Sequence, residues 1–226
     1  MTAKKKFERD VLDTDAGELE ITFLGHGTLM FAHNGKTIHV DPYSQVADYG
    51  QLPKADIVLI THEHRDHLDP DALSKIVASQ TEVIINAGSA SQLEGATVMG
   101  HGESLNIRGV EIEAVPAYNI EHKRPNGEPF HPPGVGNGYI LTFDGLRVYI
   151  AGDTEGTPEM RELEEIDVAF LPMNLPYTMT PEQVAEAARA FKPRILYPYH
   201  FGDTDTGKLV EALEGSGIEV RVRDLA

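Results

Sequence analysis

Thr61-His62-Glu63-His64-Arg65-Asp66-His67-Leu68-Asp69 follows directly on the apolar run Ile57-Val58-Leu59-Ile60. A short, uninterrupted aliphatic run reads as a buried strand. The nine residues after it hold three histidines, two aspartates and a glutamate. The chemistry-bearing groups therefore begin where a buried strand ends, which is where layered α/β proteins tend to place ligands. His62 and His64 are two residues apart and point the same way on an extended backbone. Asp66 and His67 follow as the chain turns into a helix. Imidazole nitrogens and a carboxylate converging on one point suit a borderline divalent cation such as zinc.

The chain has 226 residues, 41% of them hydrophobic and 24% charged, and no cysteine. That composition is ordinary for a globular domain, and the missing cysteines exclude disulfides, thiolate ligands and a cysteine nucleophile. A formal net charge of −17 argues against nucleic acid or an anionic membrane as the main partner. Met1–Asp10 lacks the apolar core of a signal peptide and no stretch approaches a membrane span. The expectation is a cytoplasmic protein with a small-molecule substrate, no nucleic acid and no membrane insertion, with homo-oligomerisation left open. Residues 1–17 read as a charged N-terminal arm and 18–226 as one domain, since no linker divides them.

Along the chain, Glu18–Leu24 alternates as a strand, and Asn34-Gly35 is a hairpin turn between Leu29–His33 and Lys36–Val40. Asp69-Pro70-Asp71 opens a helix to about Ser79, with aspartate as the cap and proline at the first position. Strands are expected at 82–86, 96–99 and 111–115, with a short helix at 88–93. Pro116–Gly136 has little periodicity, and a loop of that length in a compact domain is commonly functional. Tyr139–Phe143 and Arg147–Ala151 form a hairpin emptying into Gly152-Asp153-Thr154. Helices at 158–165, 180–192 and 206–214 alternate with strands at 168–173, 195–197 and 218–222. Pattern alone does not separate an αββα sandwich from a three-layer α/β fold.

The sequence His62-x-His64-x-Asp66-His67 after a hydrophobic strand resembles the metallo-β-lactamase superfamily of metal-dependent hydrolases. Asp41, Asp153 and His200 follow strands in the order that family expects. The resemblance implies an α/β (α+β) fold, a four-layer αββα sandwich. It implies a first metal on His62 and His64, a second on Asp66, His67 and His200, and Asp153 bridging them. Asp41 would hydrogen-bond a ligating histidine from behind. Gly25-His26, Ala117-Tyr118-Asn119, the His-Pro-Pro-Gly loop and Tyr177-Thr178-Met179-Thr180 look like the branch of the ascorbate-6-phosphate lactonase and similar hydrolases. A more distant likeness is to phospholipase-D-type members that cleave N-acyl phosphatidylethanolamines. One departure stands out. Asn119 occupies the place where the family's remaining first-site histidine is expected. The amide could ligate weakly, His131 or His122 could reach back from the long loop, or the first site could be depleted. His131 is the favoured choice, because it lies in a proline-stiffened part of a loop that begins at the site.

The implied cofactor is one or two divalent ions, zinc first, with manganese, iron or nickel as alternatives. The implied reaction is attack by a metal-activated water on an ester, lactone or phosphoester, with Asp66 and Asp153 as the catalytic carboxylates and Asp66 orienting the water. Tyr177, Tyr199 and His26 are candidate proton donors, and Lys123 and Arg124 candidate anion binders. Two other readings are a di-iron oxidoreductase on the same fold and a metal-binding module without turnover. His64 weighs against the first, since that branch resembles H-x-E-x-D-H.

Overall fold

Along the strand after which the histidine cluster begins, Ile57 and Leu59 enter one buried cluster, while Val58 and Ile60 enter another. Burial on both faces explains why the run is uniformly apolar rather than alternating. The computed structural model describes residues 6–226. They form two seven-stranded mixed sheets with flanking helices.

The first sheet runs in sequence order: β1 (Glu8–Thr14), β2 (Gly17–Gly25), β3 (Thr28–His33), β4 (Lys36–Val40), β5 (Ile57–Leu59), β6 (Glu82–Ile85) and β7 (Thr97–Val98). The second does the same: β8 (Ser104–Ile107), β9 (Val110–Ala117), β10 (Gly136–Phe143), β11 (Leu146–Ile150), β12 (Val168–Pro172), β13 (Ile195–Tyr199) and β14 (Glu219–Val220). In each sheet the first four strands are antiparallel and the last four parallel. The two halves thus repeat one plan, and the strand ends that matter fall at equivalent places, after β4 and β5 and after β11 and β13.

Phe170 of β12 lies against Phe23 and Phe31 of the first sheet, with ring centroids 6.4 and 6.1 Å apart, so these aromatics fill the space between the sheets. On the far face of the second sheet, Tyr149 meets Phe191 of α3 (Pro181–Phe191) at 6.0 Å. On the far face of the first, Val58 and Ile60 share a cluster with Ala72, Leu73 and Ile76 of α1 (Pro70–Ile76). Helix, sheet, sheet, helix is the four-layer order that the family resemblance implies. The chain also has α2 (Pro158–Arg161) and α4 (Thr206–Ala212). Among the described residues no helix is long and apolar enough to cross a membrane.

Several local expectations need correction. Residues 8–14, read as part of a charged arm, form β1 and pair along their whole length with β2; residues 1–5 lie outside the described residues. What holds this charged strand is Asp10, whose carboxylate accepts from Arg223 Nη2 at 2.8 Å, Arg221 Nη1 at 3.2 Å and the Tyr197 hydroxyl, tying the first sheet's edge to the second sheet. The helix expected at 158–165 stops at Arg161, before the left-handed Glu165 (φ 55°). α1 ends at Ile76 because Val77 is extended. The helix expected at 88–93 is a single 3-10 turn at Ala87–Ser89. β8 was not anticipated. By contrast, α3 carries a full capping box between Thr180 and Gln183, as the Thr-Pro start implied.

One buried histidine gives the fold a pH signature away from the strand-end cluster. His39 on β4 is fully buried, with Nε2 on the Pro53 carbonyl at 3.2 Å and Nδ1 without a partner. Burial lowers its pKa from 6.5 to about 4. Below pH 6.5 the unfolded chain binds a proton there that the folded chain refuses, so acid favours unfolding across that window. The lost stability approaches about 3 kcal/mol by pH 4. Urea denaturation of His39→Gln at a series of pH values is expected to show a correspondingly flatter acid limb than the parent protein.

Candidate metal centre

The site starts from Asp41, a fully buried aspartate in left-handed conformation (φ 45°) just past β4. Its Oδ1 accepts from the Thr61 backbone N–H at 2.8 Å, and its Oδ2 from the Thr61 hydroxyl at 2.6 Å and His67 Nδ1 at 2.8 Å. The proton on His67 is thereby placed on Nδ1, which leaves Nε2 free to face inward. Thr61 has one hydroxyl proton and gives it to Asp41, so it accepts from His62 Nδ1 at 3.0 Å. The lone pair of His62 is then also at Nε2. One carboxylate, through one threonine, sets two imidazoles.

Four donor atoms then converge. Asp66 Oδ2 lies 3.6 Å from His67 Nε2 and 3.5 Å from His200 Nε2, and Asp153 Oδ1 lies 3.6 Å from each of the same nitrogens. Two ligands at zinc–nitrogen and zinc–oxygen bond lengths of roughly 2.0–2.2 Å stand about 3.5 Å apart at a tetrahedral angle, so each of the four distances fits a shared ion. His67 Nε2, His200 Nε2 and Asp153 Oδ1 are buried with no hydrogen-bond partner in the chain. Orphaned buried polar atoms are unfavourable, and one cation at the centre would satisfy all three. The residues fit a metal.

A second set shares the same aspartate. His62 Nε2 and His64 Nδ1 are 2.9 Å apart, and Asp153 Oδ2 lies 3.3 Å from His131 Nε2 and 3.9 Å from His62 Nε2. Ligand atoms of His62, His64 and His131 all lie within 4.8 Å of one another. Asp153 thus turns one oxygen to each set. The electrostatics follow. Burial opposes ionisation of Asp153, but His200, His67 and His131 around it hold its pKa far below the usual carboxylate range. Asp66 is likewise resisted by burial yet pulled far down by His200, His26 and His67. Burial disfavours charge on His67 too, but Asp153, Asp41 and Asp66 outweigh it and raise its pKa to about 9. His62, by burial and by the His67 charge, goes well below 6.5.

The long loop brings His131 in and turns Asn119 outward. Asn119 Oδ1 accepts from the His131 backbone N–H at 2.8 Å and from His131 Nδ1 at 2.6 Å, which leaves His131 Nε2 toward Asp153. Asn119 Nδ2 donates to the Tyr177 carbonyl at 2.9 Å and to Glu155 Oε1 at 3.2 Å. The amide oxygen stands behind His131, on the ring nitrogen opposite the one that faces Asp153. His122 turns away, to Glu155 Oε1 at 2.5 Å. Of the candidate proton donors, Tyr199 is buried with its hydroxyl accepting from the Gly152 N–H at 2.8 Å, and Tyr177 is exposed with its ring against Phe130. His26, also left-handed, reaches the site: Nε2 is 3.1 Å from Asp66 Oδ2 and its ring lies 3.7 Å from that of His200. Arg124 is engaged by Phe130, whose carbonyl it meets at 3.2 Å and whose ring it covers.

Sequence reading missed Glu155. Its buried carboxylate accepts the backbone N–H groups of Ile120, Glu121 and His122 at 2.8, 2.7 and 2.7 Å. An acid immediately after Gly-Asp-Thr was the available signal. Thr61 was also passed over, although a threonine closing a buried strand beside the histidines was in view.

With this geometry in hand, comparison with known proteins decides the family. A model of the beta-lactamase superfamily domain matches residues 20–200. This chain belongs to that superfamily. It is a metal-dependent hydrolase on the metallo-β-lactamase fold. A UPF0173 metal-dependent hydrolase of Methanoculleus marisnigri is 32% identical over 189 residues, covering 81% of each chain. Among solved structures, a Parabacteroides distasonis protein assigned as a metal-dependent hydrolase is 54% identical, with a TM-score of 0.94 over 98% of this chain and 100% of the other. Igni18, a metallo hydrolase of Ignicoccus hospitalis, is 27% identical, with a TM-score of 0.73 over 92% of this chain and 96% of its own.

Close packing against His67 and His200 gives a test. A Cβ on Gly27 would come within 3.1 Å of His67 Cε1 and 3.2 Å of His200 Cδ2. Gly27→Ala is expected to destabilise the metal-free protein by about 1–3 kcal/mol through overpacking, measured by chemical denaturation; an unchanged midpoint would show that the two rings yield freely.

Proposed function

We propose that the chain binds two divalent ions, zinc first, and hydrolyses an ester, lactone or phosphoester of a small molecule. The first ion would rest on His62, His64 and His131, the second on Asp66, His67 and His200, with Asp153 between them. The observation that carries this reading is the division of Asp153, whose two oxygens face two separate nitrogen-rich sets. A carboxylate bridge of that kind suits a pair of ions a few ångströms apart. His64 keeps the first set rich in nitrogen, a donor choice that fits zinc and favours hydrolysis over di-iron redox chemistry.

Bound ions of this type acidify water and polarise the oxygen of the bond to be cleaved. The chain's own residues do the rest. Asp66 is the open member of the set, its side chain 34% exposed against 5% for Asp153 and 3% for His200. It is therefore the carboxylate able to accept a hydrogen bond from an attacking water while staying ionised. His26 holds Asp66 from outside. Asn119 and Asp41, behind His131 and His67, keep the imidazoles aimed inward without movement during turnover.

Metal analysis of the parent protein is expected to give two ions per chain. His131→Ala should lower the count by one. Asn119→Ala should keep the count at saturation but weaken the first ion roughly 10–100-fold, read by competition with a chromogenic chelator. A panel of chromogenic lactone, carboxyl-ester and phosphodiester substrates should lose turnover in the His62→Ala/His64→Ala double variant. Full metal content in that double variant would remove the assignment.

A further inference from the structure

We propose that β1 is the docking edge for a second copy of this chain. The two β1 strands pair antiparallel about a two-fold axis at Val11, so that the first sheets of two molecules run on into one another.

Each sheet has two edges. Among the described residues three of the four edge strands are short: β7 and β14 have two residues each and β8 has four. β1 has seven, paired with β2 in unbroken register from Glu8–Phe23 to Thr14–Gly17. Natural proteins blunt long edges with proline, lysine, a bulge or an inward-pointing charge. β1 has no proline, lysine or bulge, and its inward Asp10 is already matched by Arg221 and Arg223. The two-residue turn Asp15–Ala16 closes on the Thr14–Gly17 pair, which makes that pair hydrogen-bonded, and the pattern alternates from there. Thr14, Leu12, Asp10 and Glu8 therefore turn their backbone groups to β2. Arg9, Val11 and Asp13 turn theirs outward, with no backbone partner among the described residues.

The same three residues put their side chains on one exposed face. Val11 is 53% exposed, the highest value among the large apolar side chains left in solvent. It stands midway between a cation and an anion. Asp13 lies directly across from Glu18, and among the described residues no cation pairs with either side chain. Arg9 reaches Glu20 at 3.2 Å with more than half of its own side chain still in solvent. Like charges directly opposite across strands are unfavourable and opposite charges favourable. A two-fold axis at Val11 sets Val11 against Val11 and the Arg9 of each copy against the Asp13 of the other. Each copy then supplies the cation that the other's Asp13–Glu18 pair lacks. The two exposed valines cover one another, and the outward N–H and C=O groups find partners. A shift of two residues in either direction would set Val11 against Asp13 or Arg9 instead. The register is thus self-complementary, as a two-fold contact must be.

The test follows the full chain by sedimentation velocity at high micromolar concentration. The parent is expected to sediment as a dimer that weakens with added salt, because exposed charge pairs are screened. Arg9→Asp and Asp13→Arg each set like charges opposite one another twice, and each should weaken dimerisation roughly tenfold or more. An equimolar mixture of the two variants restores opposite charges at both contacts and should associate as a one-to-one heterodimer, which shows that neither variant had lost its fold. The chain has no cysteine, so Val11→Cys introduces a unique thiol. In the dimer its two copies face each other with Cα atoms about 5.5 Å apart, within disulfide reach. They should cross-link on mild oxidation faster than Val98→Cys, an exposed position on the opposite edge of the same sheet. A monomeric parent, a dimer indifferent to both charge reversals, a mixture no more associated than its components, or equal cross-linking at the two positions overturns the inference.

Discussion

A single buried carboxylate organises the histidine cluster. Asp41 is fully buried, and its two oxygens collect a backbone N–H, a hydroxyl and an imidazole N–H. An aspartate in that position is costly to bury unless each oxygen finds donors. The donors all come from the segment that follows β5, so the end of β4 is tied to the first turn of the histidine cluster. The orientations of His67 and, through Thr61, of His62 follow from satisfying Asp41. Hydrogen bonding that pays for one buried charge thus also fixes the direction of two lone pairs.

Around that anchor the site separates its histidines by electrostatic surroundings. His67 is ringed by Asp153, Asp41 and Asp66 and is driven toward the charged form in the metal-free chain, while His62, buried beside it, is driven toward the neutral form. Asp66 and Asp153 stay ionised against the resistance of burial. The charge favoured on His67 answers the three carboxylates around it.

The parts of this arrangement visible in the sequence were those carried by short, contiguous patterns. The apolar run ahead of Thr61, the Asn34-Gly35 turn, the Thr180-Pro181 helix start and the strand-end positions of Asp41, Asp153 and His200 can all be found by eye, because strand burial and turn chemistry act over a few residues. The sandwich itself came from resemblance, since the same string of elements suits a three-layer fold. What escaped depends on distant partners. β1 looks like a charged arm until Arg221, Arg223 and Tyr197, more than 180 residues away, neutralise Asp10. β8 is short and mixed in polarity, with no period to betray it. Asn119 stands where the family's histidine is expected; that it lies behind His131 could be anticipated, but the bonds that put its amide oxygen there follow from the loop's course. Glu155 has no motif of its own; its role emerges from three backbone N–H groups more than thirty residues earlier.

The closure of the long loop has a consequence for how the protein tolerates change. The Asn119 N–H bonds to the His131 carbonyl at 2.9 Å, and the Asn119 side chain returns two bonds to His131. Between those residues the chain runs out and back as a small pendant hairpin, with Lys123 bridged to Pro129 and Arg124 N–H on the Glu128 carbonyl. The base is clamped at Asn119 and His131, and Arg124 ties the tip back to the Phe130 carbonyl and ring. Lengthening the turn between Arg124 and Glu128 costs little loop entropy. That turn is where the loop can change in size, and so reshape the approach to the site, with the Asn119–His131 clamp kept.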